Sequence, residues 1–134
     1  MSFCCDLEKL SLAGLQSTKP YFQVSILLNS KTLKVLDLNG CRGLTLEAVK
    51  QIVSHCQELT EINMDNTKLE PESIDFLCNN LTEKIEKLSL FRLKVSDENI
   101  KNLLGKCKKI SELDLGATSV TENSNQFSNM LNIF

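Results

Sequence analysis

The apolar positions of this chain recur in one short phrase: an aliphatic residue, two others, an aliphatic residue, one other, and a third aliphatic residue. Five copies stand in register, Leu7-Leu10-Leu12, Leu33-Leu36-Leu38, Leu59-Ile62-Met64, Ile85-Leu88-Leu90 and Ile110-Leu113-Leu115. Their starts are separated by 26, 26, 26 and 25 residues, a timing that signals stacked repeats. Within each phrase the last three positions alternate, as in Leu36-Asp37-Leu38, which predicts a short strand with one apolar face. Between phrases the period lengthens to that of a helix. Val49, Ile52, Val53 and Cys56 form one stripe, Ile74, Leu77, Cys78 and Leu81 a second, and Ile100, Leu103, Leu104 and Cys107 a third. Thr45 and Ser96 stand where N-caps are needed, and Pro71 opens the middle helix where its missing N–H costs nothing. Asp97 and Glu98 suit the positive end of the last helix.

One strand and one helix cannot bury their apolar faces alone, so the units must stack. The prediction is an α/β leucine-rich-repeat solenoid, a horseshoe of about five repeats of 25–26 residues filling residues 1–134 as one array. Short parallel strands line its concave face and helices its convex face. Asn39-Gly40 and Gly116-Ala117 read as turns leaving the strands. Met1-Ser2-Phe3-Cys4 enters almost directly at the first strand with no cap, and Phe127, Met130, Leu131 and Phe134 make an apolar helical stripe with no sixth strand after it. Repeat arrays normally end in polar caps. The expectation is therefore a fragment or variant of a longer array, or a partner covering its ends.

Composition narrows the function classes. The chain has 134 residues, 42% of them hydrophobic and 24% charged, with 15 Lys and Arg against 17 Asp and Glu. A net charge of -2 lacks the basic footprint of a nucleic-acid binder, which leaves protein partners. With no apolar leader and no aliphatic run longer than Ile26-Leu27-Leu28, neither export nor a membrane span is expected. The reading is a cytoplasmic or nuclear protein whose six cysteines are thiols. Cys4, Cys56 and Cys107 share one slot, three residues before alternate phrases, with Ser30 and Thr82 between. Two strand spacings, about 9–10 Å, put them beyond disulfide reach. They read as core thiols. No Cys-x-x-Cys pair is present for zinc, and no glycine-rich phosphate loop. His55, the single histidine, adjoins Cys56, but helix neighbours point about 100° apart, so it reads as a solvated helix-end residue. The chain is expected to be no enzyme and to need no cofactor.

Residues flanking the strand leucines form the sheet face that solenoids use for binding. The face reads Lys9-Ser11-Ala13, Val35-Asp37-Asn39, Glu61-Asn63-Asp65, Lys87-Ser89-Phe91 and Glu112-Asp114-Gly116. Five carboxylates minus two lysines leave an acidic surplus of three. The candidate binding residues are Asp37, Glu61, Asn63, Asp65, Lys87, Ser89, Phe91, Arg92, Glu112 and Asp114. Either this face takes a basic partner segment, or Glu61, Lys87 and Glu112 pair with one another across the strands. Phe91 beside Arg92 is either a binding hot spot or an aromatic covered by its own loop.

The string Leu33-Lys-Val-Leu-Asp-Leu-Asn-Gly-Cys41, followed by Gly43-Leu44-Thr45 and Ser54-His-Cys56-Gln-Glu-Leu59, resembles the cysteine-containing leucine-rich repeats of F-box proteins. The resemblance covers nearly the whole chain. It implies the substrate-recognition part of a cullin-based, SCF-type ubiquitin ligase, holding a phosphorylated cell-cycle target. In that family an F-box grips the ligase adaptor, and later repeats with a C-terminal tail help to hold an accessory subunit and the target. Neither the F-box helices nor the later repeats are present here. The alternative is a free-standing repeat scaffold, a competitor that occupies targets without modifying them.

Overall fold

The computed structural model describes residues 6–15, 31–120 and 132–133. Its six strands are β1 (Lys9–Ser11), β2 (Val35–Asp37), β3 (Glu61–Asn63), β4 (Lys87–Ser89), β5 (Glu112–Asp114) and β6 (Asn132–Ile133). Three helices follow β2, β3 and β4 in turn: α1 (Leu46–His55), α2 (Pro71–Asn80) and α3 (Asp97–Lys106). All strands are parallel and lie in one sheet in chain order, β1 to β6. The period of the sequence is the register of the sheet, because Leu10, Leu36, Ile62, Leu88 and Leu113 stand side by side as Cα partners.

The helices begin where capping chemistry allows. Thr45 Oγ1 accepts the Ala48 N–H at 3.2 Å. At α3 the arrangement is reciprocal: Ser96 Oγ accepts from Asn99 N–H (3.2 Å) and Asn99 Oδ1 accepts from Ser96 N–H (3.0 Å). Asn99 is buried, and its Nδ2 donates to Asp75 Oδ1 on α2 at 2.6 Å. One residue thus caps its own helix and ties it to the previous one. Pro71 is the first residue of α2, after Glu70, whose side chain offers no cap.

The three predicted helical stripes are buried apart from Leu104, which is half-buried. They meet the strand leucines in a single apolar cluster. Of the five phrases, four are fully buried, whereas Leu7, Leu10 and Leu12 beside the β1 edge are half-buried.

Two backbone features repeat with the same period. Just before each of β1 to β4, one carbonyl receives two consecutive N–H groups: Glu8 from Lys34 and Val35, Lys34 from Thr60 and Glu61, Thr60 from Glu86 and Lys87, and Glu86 from Ser111 and Glu112. Two residues after each phrase the backbone turns left-handed, at Gly14 (φ 82°), Gly40 (76°), Asn66 (57°), Arg92 (62°) and Ala117 (54°). Glycine and asparagine suit that region, and other residues are strained there. Beyond the strands the ladder continues through these turns, with Gly14, Gly40, Asn66 and Arg92 each donating to the carbonyl of the next unit.

One expectation is corrected. A sixth strand does exist, since Asn132–Ile133 pairs with Glu112–Leu113. It arrives 20 residues after Leu113, the difference between the partners Leu113 and Ile133, rather than 25 or 26. The outer edge of β5 presents unpaired N–H and C=O groups that an extended segment satisfies, and the β-branched Ile133 favours that form over a helix. A helix therefore does not run through Asn132 and Ile133. Phe127, Met130, Leu131 and Phe134 lie outside the described residues, as do Cys4 and Cys5.

Candidate protein-binding face

Because side chains alternate along each strand, burying Leu36, Ile62, Leu88 and Leu113 turns their neighbours to the opposite face. There Val35, Asp37, Glu61, Asn63, Lys87, Ser89, Glu112 and Asp114 line one open hollow of about 420 Å³. Eight candidate residues adjoin it or the turns that follow its strands, and Phe91 and Arg92 occupy the turn after β4.

Charge on this face is largely organised already. Lys87 Nζ lies 3.8 Å from Glu61 Oε1 and 3.6 Å from Glu112 Oε1, joining β3, β4 and β5. These three side chains are exposed, so the pairs add little stability; they fix where the charges sit. The aspartates have a structural task. Asp37 Oδ1 accepts the Asn39 N–H (3.0 Å) and its Oδ2 the Ser11 hydroxyl (3.2 Å). Asn63 Oδ1 accepts the Asp65 N–H (2.9 Å), and Asp114 Oδ1 the Gly116 N–H (2.9 Å). In the fourth unit Ser89 makes no such bond. Asp65 reaches over from the previous unit instead, its Oδ1 accepting the Phe91 N–H at 2.9 Å and the Ser89 hydroxyl at 2.6 Å. The acidic surplus is therefore less free than its count suggests, since three of the five carboxylates hold turns.

Phe91 is half-buried, and its ring lies so close over Gly116 that a Cβ there would meet Phe91 Cδ2 at 2.7 Å. The Arg92 guanidinium stands 5.4 Å from the ring centre. Asn39, already read as part of a turn, is joined to Asn66, which the sequence did not single out, through a 3.2 Å bond from Asn66 Nδ2 to Asn39 Oδ1. Gly14 and Gly40, 26 residues apart, were the available signal for that column of turns.

His55 ends α1, exposed, with Nδ1 3.0 Å from the Gln51 carbonyl oxygen. Its neighbour Cys56 is buried. Cys41, Cys56, Cys78 and Cys107 are free thiols, all buried. Cys107 Sγ–H donates to the Thr82 carbonyl (3.4 Å), and Cys41 Sγ–H to that of Leu12 (2.9 Å). Among the described residues no group of three or more His, Cys, Asp or Glu could hold a metal, and no helix is long and apolar enough to cross a membrane.

Burial pushes the Cys56 thiol up to about 11 and that of Cys78 to about 12, with Asp75 and then Cys107 adding to the latter. Those of Cys41 and Cys107 rise as well, chiefly by burial. Thiols this reluctant to ionise are poor nucleophiles at neutral pH. Iodoacetamide at pH 8 is expected to leave these four unmodified in the folded protein and to label all of them in urea; native labelling at the unfolded rate would overturn this. The unfolded chain releases these protons near the ordinary 9.0, while the folded chain retains them. Stability from this source is intact below that value and declines as pH rises from 9 toward 11 and 12. The urea midpoint should be lower at pH 10 than at pH 8, and the difference should shrink in Cys78→Ala. No protein-family model matches the chain.

Proposed function

We propose that the chain is a leucine-rich-repeat interaction module, serving as substrate-recognition repeats of an SCF-type ubiquitin ligase receptor. In this reading the sheet is the concave face of a solenoid and the helices its convex face. The observation that carries it is the register, in which strands 26 residues apart deliver their flanking side chains to one continuous face in chain order. Buried Cys56 and Cys107, each at a helix C-cap, support the resemblance to cysteine-containing F-box repeats. The junction Asn80-Leu-Thr-Glu-Lys-Ile-Glu-Lys-Leu-Ser-Leu90 looks most like that of the S-phase kinase-associated member. Its partners would be protein targets, among them phosphorylated cell-cycle regulators, and the ligase adaptor wherever the full product carries an F-box.

A second reading, a free-standing repeat scaffold that occupies targets without modifying them, draws on the same face, which needs only the stacked strands. Affinity purification of the endogenous product, followed by mass spectrometry, separates the two. Co-purifying cullin and adaptor support the receptor; targets without them support the scaffold. Phe91→Ala should weaken target capture with little change in melting temperature, because the ring is only half-buried. A large fall in melting temperature would instead make Phe91 a packing residue.

A further inference from the structure

One link in the column of turns is chemically weaker than the rest. Asn39-Gly40 is the only Asn-Gly pair in the 134 residues. Gly40 stands at φ 76°, a left-handed conformation that glycine adopts without strain. The missing side chain that suits the turn also leaves the Gly40 nitrogen unhindered toward the side-chain amide one residue back. In an unrestrained chain that nitrogen, once deprotonated, attacks Asn39 Cγ. The aligned pairs of the other units are Ala13-Gly14, Asp65-Asn66, Phe91-Arg92 and Gly116-Ala117, and none of them places an asparagine before a glycine.

The stacked array withholds that reaction. The peptide group joining Asn39 to Gly40 is fastened on both sides: its carbonyl accepts the Gly14 N–H of the first unit at 2.8 Å, and its N–H donates to the Asp65 carbonyl of the third at 2.8 Å. Asn39 itself is held as well, its N–H donating to Asp37 Oδ1 at 3.0 Å and its Oδ1 accepting from Asn66 Nδ2 at 3.2 Å. Both residues are half-buried. Attack requires the Gly40 N–H to leave Asp65 and the peptide plane to rotate, which breaks the bonds to both neighbouring units together.

We propose that Asn39 is a deamidation site gated by the stacking of the array: closed while the second unit lies between the first and third, and modified irreversibly when its turn parts from them. The Gly40 N–H proton passes to hydroxide, the new bond from nitrogen to Cγ closes a five-membered imide, and the bond from Cγ to Nδ2 breaks as ammonia leaves. Water then opens the imide at either carbonyl, giving aspartate or isoaspartate. The sum is an amide plus water becoming an acid plus ammonia, with nothing oxidised or reduced. Aspartate keeps an oxygen for Asn66 Nδ2. Isoaspartate draws Cβ into the main chain, and a backbone one carbon longer cannot meet Gly14 and Asp65 in the present register. The unit it loosens lies at the β1 edge, where Leu7, Leu10 and Leu12 are only half-buried. The proposal does not depend on the ligase reading.

The full chain is incubated at pH 8 in buffer and in urea, and deamidation is followed at every asparagine by peptide mass, with isoaspartate distinguished by fragmentation. In urea Asn39 should react faster than any other asparagine. In buffer it should react about tenfold or more slowly. The ratio of the two rates should match the hydrogen-exchange protection of the Gly40 amide, because the same N–H must be freed for both reactions. Equal rates in buffer and urea, a protected Gly40 amide beside unslowed deamidation, or another asparagine leading in urea would each overturn the proposal. The isolated isoaspartate form should also have a lower urea midpoint than Asn39→Asp, which has the same composition and an unaltered main chain; equal midpoints would overturn the loss of register.

Discussion

Replacing Leu88 with alanine is expected to cost about 2–5 kcal/mol, a large share of the roughly 5–15 kcal/mol that holds a domain together. Leu88 is 2% exposed in the middle of the sheet, between Ile62 and Leu113. Truncation opens a cavity bounded by backbone that cannot close over it, because its neighbours are fixed by ladder hydrogen bonds on both sides. Urea denaturation followed by circular dichroism reads the loss. Leu88→Met, which conserves volume, should cost under about 1.5 kcal/mol. An equal effect from both would show that the side chain's shape, and not its bulk, is what matters there.

Asp65→Ala is expected to lower stability by about 1–3 kcal/mol, which a residue devoted to partner contact would not do. Its carboxylate accepts the Phe91 N–H and the Ser89 hydroxyl, two donors of the next unit. Truncation leaves both without their acceptor. Asp65→Asn keeps an oxygen for the backbone donor and should lose less. Faster hydrogen exchange at the Phe91 amide in Asp65→Ala would locate the damage; unchanged exchange and an unchanged urea midpoint would return Asp65 to the list of purely binding residues.

What could be read from the sequence was whatever depends on residue type at fixed spacing. The leucine columns, the Thr45 and Ser96 caps, Pro71 and the turn at Gly40 all follow from local chemistry. Other features depend on neighbours that are distant along the chain. Ser89 gives no hint that its turn is held by Asp65, because the compensation comes from 24 residues earlier. Arg92 and Ala117 carry no propensity for a left-handed turn, and only their alignment with Gly14 and Gly40 betrays it. Counting acidic side chains on the face overstated its free charge, since hydrogen bonds to turn amides cannot be seen in a composition. The helical spacing of Phe127, Met130, Leu131 and Phe134 hid the strand at Asn132–Ile133, which exists because β5 offers it an edge.

Each strand pairs only with its neighbours, and α1 meets α2 and α2 meets α3 while α1 and α3 do not touch. Such a chain can change length by whole modules. Excising residues 59–84 would bring Leu88 beside Leu36 in the position Ile62 now holds, with the same offset and the same kind of apolar partner. A deletion of 26 residues would then be gentler than a deletion of one, which shifts every inward side chain to the solvent face. Duplication follows the same logic in reverse. A gene encoding this protein is thus free to grow or shrink in steps of one strand and one helix, lengthening or shortening the face while leaving the surviving contacts as they were.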